Sequence, residues 1–101
     1  MDRRQELQTI LENILESRNV YYQPPSNTKL EYPCIIYKRS SLHTRHANNS
    51  IYINKVRYEV LLISNTPNNP TIDKILELPY CTYDRYYVAD GLSHDSFTVF
   101  Y

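Results

Sequence analysis

IYINKVRYEVLLIS, running from Ile51 to Ser64, decides how the rest of the chain is read. At period two, Tyr52, Val56, Tyr58, Val60 and Leu62 share one face. Lys55, Arg57 and Glu59 share the other, with Ile53, Leu61 and Ile63 at its ends. β-branched and aromatic residues dominate, and neither Gly nor Pro interrupts them, so the stretch reads as a strand. It is more than twice the usual strand length of about 5–6 residues, and part of it is expected to project beyond its sheet. The polar middle of the second face suits an antiparallel sheet with one face on a core and one wet.

Working outward, CIIYKR (Cys34 to Arg39) alternates in the same way and reads as the strand before it. Between the two, SSLHTRHANNS (Ser40 to Ser50) is polar and without periodicity, and reads as the loop at the tip of a long hairpin. Upstream, Leu7, Ile10, Leu11, Ile14 and Leu15 form an amphipathic helical stripe between Asp2 and about Arg18, with Asp2 as the N-cap. Val20 then leads into an extended piece, and QPPSNT (Gln23 to Thr28) is a loop. Downstream of the long strand, NTPNNP (Asn65 to Pro70) turns the chain. Asn69 then caps, and Pro70 opens, a short helix carrying Ile72, Ile75 and Leu76. TYDRYYV (Thr82 to Val88) and SFTVFY (Ser96 to Tyr101) read as two further strands, with Asp90-Gly91 as the turn signal between them. The expected fold is one α+β domain over residues 1–101. Its order is αββαββ, with a four-stranded antiparallel sheet, a long protruding β-hairpin and two helices on one face.

Eleven Lys and Arg balance eleven Asp and Glu, so no net field draws the chain toward nucleic acid or an anionic membrane. No apolar run is long enough to span a bilayer, and the charged, amphipathic beginning does not resemble a secretion signal. Cys34 and Cys81 are accordingly read as reduced thiols of an intracellular product. Eleven tyrosines against no Trp and one Gly is an unusual mixture. Tyr joins an apolar body to a polar tip and is enriched where surfaces meet partners.

Catalytic and ligand-binding readings find little. His43 and His46 stand three apart in the expected loop, with no Cys or acidic residue beside them to complete a metal site. Asp84, Asp90, His94 and Asp95 offer titrating groups, but no nucleophile in an activating motif and no phosphate-cradling glycines accompany them. Neither a catalytic residue, a metal nor a cofactor is assigned. A single-stranded nucleic-acid binder has its ingredients in Tyr37, Tyr52 and Tyr58 beside Arg39 and Arg57, but lacks the glycine–aromatic submotif of RNA-recognition domains.

Three stretches carry a resemblance. YPCIIYKR (Tyr32 to Arg39), HANNSIYINKVRYEVLLIS (His46 to Ser64) and LPYCTYDRYYVADGLSHDSFTVFY (Leu78 to Tyr101) resemble tail-terminator or tail-completion proteins of long-tailed bacteriophages. Nearly the whole chain takes part, including the opening helix and the αββαββ order. The resemblance implies a non-enzymatic virion protein of the head–tail junction, assembled in the host cytoplasm. Such a protein forms a ring, usually a hexamer, on top of the tail tube, where it terminates tube growth and docks to the head connector. Its implied partners are its own copies, the major tail tube protein and the neck proteins, with DNA passing through the lumen without sequence-specific binding. A neck or head-closure connector is the alternative. The residues expected at subunit or tube contacts are His43, Arg45, His46 and Asn48 at the hairpin tip, and Tyr52, Ile53, Lys55 and Arg57 on the long strand. Ile53, Lys55 and Arg57 are chosen because the helix stripes are consumed by the core and leave the second sheet face uncovered, the tip residues because the tip is polar and adaptable, and Tyr52 as part of the protruding arm.

Overall fold

The computed structural model describes the backbone of residues 3–47 and 50–101, with side chains at 3–40 and 56–101. Helix α1 spans Arg3–Leu15, followed by strand β1 at Val20–Tyr22 and strand β2 at Cys34–Ala47. Strand β3 spans Ser50–Ser64, helix α2 Thr71–Leu76, strand β4 Cys81–Ala89 and strand β5 Leu92–Phe100. The strands form one mixed sheet in the order β1-β2-β3-β5-β4. β3 and β4 therefore run parallel on either side of β5, joined by a crossover through α2.

Three expectations change. The sheet has five strands rather than four, because Val20 to Tyr22 pairs in parallel with Ile35 to Tyr37. The residues assigned to a tip loop are mostly strand: β2 runs on to Ala47, and Leu42 faces Val56, His43 faces Lys55 and Arg45 faces Ile53. The last strand begins at Leu92 rather than Ser96, which takes His94 and Asp95 out of a loop and into β5. In each case the ladder supplies backbone partners that side-chain patterning does not report. The α+β class, the long hairpin and the placement of both helices against one face agree with the sequence reading.

Local chemistry accounts for the ends of elements. α1 stops at Leu15, three residues before the expected end, because Glu16 adopts φ 59°. The Ser17 N–H then reaches back to the Glu12 carbonyl at 3.2 Å, the longer bond of a Schellman C-cap. At α2 the Asn69 side chain accepts the Thr71 N–H at 2.8 Å, and Pro70 holds helical angles. Asp90 and Gly91 both take positive φ, 54° and 73°, as a two-residue type I′ turn between β4 and β5 requires. The proposed Asp2 cap lies outside the described residues.

The core lies between the helices and one sheet face. Leu7, Leu11 and Leu15 of α1 and Ile75 of α2 pack onto Ile35 and Tyr37 of β2, Tyr58, Val60 and Leu62 of β3, and Phe97 and Val99 of β5. The inward residues are thus the first face of the long strand, as its alternation requires. Tyr37 sits at the centre of a polar seam under α1. Its hydroxyl donates to Gln8 Oε1 at 2.6 Å and accepts from Arg4 Nη1 at 3.2 Å, and Gln8 Nε2 donates to the Val20 carbonyl at 3.0 Å.

β1 pairs along β2 only as far as Tyr37, and β5 pairs along β3 only as far as Arg57. Val56 exchanges two further backbone bonds with Tyr101, at 3.0 and 3.3 Å. Beyond that point β2 and β3 continue alone to Ala47 and Ser50. This two-stranded ribbon is about 20 Å long at the usual rise per residue, and it accounts for the 48 × 25 × 23 Å extents of the molecule.

Candidate protein-interaction surface

The face of the sheet away from the helices is built from the alternate residues of four strands. Registers place Lys38 opposite Glu59, Glu59 opposite Thr98, and Thr98 opposite Thr82 in one row. The next rows run Ile36, Leu61, Ser96, Arg85 and then Cys34, Ile63, His94, Tyr87. Cys34 and Ile63 are buried, Ile36 and Leu61 half-buried, and Lys38, Arg57 and Glu59 exposed. The result is an apolar strip rimmed by charge, which holds a groove of about 290 Å³ over Ile36, Leu61, Ser96 and Tyr87. A second cleft, of about 620 Å³, lies where the Gln23–Leu30 loop folds beside Ile36, Lys38 and Arg39.

Two devices stiffen the β4 side of this face. A bulge between Tyr83 and Arg85 puts Asp84 beside Thr98, whose hydroxyl donates to Asp84 Oδ2 at 2.7 Å. Arg85 then stands over the Tyr87 ring at 4.8 Å, and Tyr87 stacks on His94 with ring centres 4.7 Å apart. The His94 Nδ1 lies 3.0 Å from the Leu92 carbonyl, which can only accept, so the neutral ring carries its proton on Nδ1.

The helix side carries an apolar area of its own along β4, the edge strand. Tyr80, Tyr83, Tyr86 and Val88 are 63%, 41%, 46% and 61% exposed, with Leu76 of α2 beside them at 40%. Sequence reasoning missed this cluster. Tyr83 and Tyr86 are three apart, which in a regular strand places them on opposite faces. The bulge between Tyr83 and Arg85 brings both to the helix side, and among the described residues no strand pairs beyond β4.

Of the residues expected at contacts, Arg57 is placed on the open face, exposed, opposite Ser41 and Phe100. His43, Arg45, His46, Tyr52, Ile53 and Lys55 occupy positions along the ribbon, with side chains outside the described residues. Asn48 lies outside them entirely. The nucleic-acid ingredients do not come together: Tyr37 and Tyr58 are buried in the core beneath the helices, where no base can stack. Nor do the titrating groups converge. His94 and Asp95 point to opposite faces, and Asp84 sits about four residues, roughly 13 Å, along the ladder from His94. Among the described residues no three His, Cys, Asp or Glu gather as a metal site, and no helix is long and apolar enough to cross a membrane.

Cys34 and Cys81 are free and head β2 and β4, on opposite faces of the sheet. Burial pushes the Cys34 thiol up to about 11. Burial and then the Asp84 charge raise Cys81.

No family model matches the chain, and neither a curated protein nor a solved structure is similar to it.

Proposed function

We propose that this protein is a structural component of the head–tail junction of a long-tailed phage, a ring-forming tail terminator that caps the tail tube and docks to the connector. The observation that carries the reading is the ribbon. A two-stranded hairpin with neither outer edge paired is marginal by itself in water and gains stability by lying on something else. A neighbouring copy within a ring is the partner that the phage-protein resemblance supplies, and head-to-tail contacts close such a ring. The helix-free sheet face, with its apolar strip and charged rim, supports a second contact to the tube. An assembly subunit needs these surfaces and no reaction centre.

The test of the tube contact is charge reversal on the open face. Arg57 is exposed, so Arg57→Glu costs the fold under about 0.5 kcal/mol. Combined with Lys55→Glu, it is expected to give overlong tails when capping fails, or normal-length headless tails when docking fails. Electron microscopy of lysates distinguishes these outcomes. Normal infectious particles would remove this face from the account.

A further inference from the structure

Between α2 and the β4 edge lies a cleft of about 380 Å³, lined by Pro67, Asn68, Ile72, Leu76, Tyr83, Tyr86 and Asp95. Apart from Asn68, which makes no hydrogen bond to the carboxyl group, its walls are apolar and aromatic, and its base is the Asp95 carboxyl. Asp95 is 2% exposed, its Oδ1 accepts the Tyr83 hydroxyl at 2.5 Å, and its buried Oδ2 has no hydrogen-bond partner. A buried polar atom without a partner is costly, and native folds rarely leave one unexplained. The nearby groups do not answer it. The Tyr86 hydroxyl bonds to Ser93 Oγ at 3.2 Å, Arg85 turns to the opposite sheet face over Tyr87, and Lys74 pairs with Glu16 at 2.8 Å.

What such a cleft complements is a cation on an aliphatic stem. The head group supplies the missing donor as a charge-assisted bond. The stem lies along Ile72 and Leu76, and the Tyr faces add cation–π attraction. A metal ion is a poor fit, because one carboxylate is too few ligands. We propose that this cleft binds an alkylammonium or alkylguanidinium group, with Asp95 Oδ2 taking the charge. Tyr83 and Tyr86 stand on an edge strand and are more than two-fifths exposed, so a turn of their rings admits the head group. The inference does not rest on the assembly reading.

The experiment follows amide shifts and thermal melting of the whole chain with n-butylammonium, n-butylguanidinium and neutral n-pentanol. The cations are expected to shift Tyr83, Tyr86 and Asp95 amides and to raise the melting temperature as the logarithm of their concentration. Pentanol should do neither. Asp95→Asn keeps the shape and removes the charge, and should weaken cation binding about tenfold or more. Leu76→Trp fills the mouth without touching Asp95 and should block binding equally, which keeps the test open if Asp95→Asn does not fold. Stronger binding of a blocked lysine identifies a protein side chain as the occupant, and stronger binding of spermidine a free polyamine; both support the site. Equal responses to pentanol, unchanged binding by Asp95→Asn, or no response at all would overturn it.

Discussion

Tyr37 shows why one buried residue joins the two layers. Its ring lies 4.9 Å from Tyr22 and 5.8 Å from Tyr58, while its hydroxyl reaches Gln8 and Arg4 on α1. Tyr37→Phe keeps the ring and strands the Gln8 acceptor, so a loss of about 1 kcal/mol is expected in urea unfolding. Tyr37→Ala opens a cavity under the helix, and about 3–5 kcal/mol is expected. Cys34 makes a second prediction through its thiol. Its folded value is raised from 9.0 to about 11, so the folded state favours the neutral form. The unfolded chain loses the proton first as pH rises, and stability present below pH 9.0 falls progressively toward about 11. Urea midpoints across that window should decline, and Cys34→Ala should flatten the decline whatever it costs at neutral pH. An equally steep decline in the variant would assign it to other groups, such as Tyr83. Burial and then the Asp95 hydrogen bond and charge push Tyr83 up to about 12.

At the scale of elements, what was legible followed from periodicity and capping chemistry. The helix stripe, the two faces of β3, the Asn69-Pro70 start and the Asp90-Gly91 turn all reappear, since each depends on neighbours in sequence. What was illegible depends on partners far along the chain. Val20 to Tyr22 is too short to show alternation and becomes a strand only because β2 offers an edge beside it. Ser40 to Ala47 is mostly polar, so strand pairing there left no hydrophobic signature. Tyr83 and Tyr86 reach one face only through the bulge, which their spacing does not announce, and their exposure follows from the strand order. The ribbon also changes how it should be tested. Removing only its β2 side would leave Ser50 to Lys55 unpaired, whereas replacing residues 43–55 with Asn-Gly keeps the Leu42–Val56 pair and the Val56–Tyr101 bonds. This shortened chain should keep its helical circular dichroism and cooperative unfolding, lose only the strand signal of the ribbon, and fail to assemble. Assembly at wild-type levels would take the ribbon out of the contact.

At the scale of the whole molecule, a small helix-backed sheet carries a two-stranded ribbon and a helix-free second face. The chain carries no net charge, so assembly is expected to depend on shape and apolar contact more than on salt. A nucleic-acid binder would behave in the opposite way, losing affinity steeply as salt rises. The stoichiometry and position of this chain in purified tails, read by cryo-electron microscopy of the tube end with native mass spectrometry of the released complex, decide whether it forms a ring at the junction. A closed hexameric ring at the head-proximal end is expected, with each ribbon lying on the next copy. A strictly monomeric component of mature tails, or its absence from the junction, would contradict it.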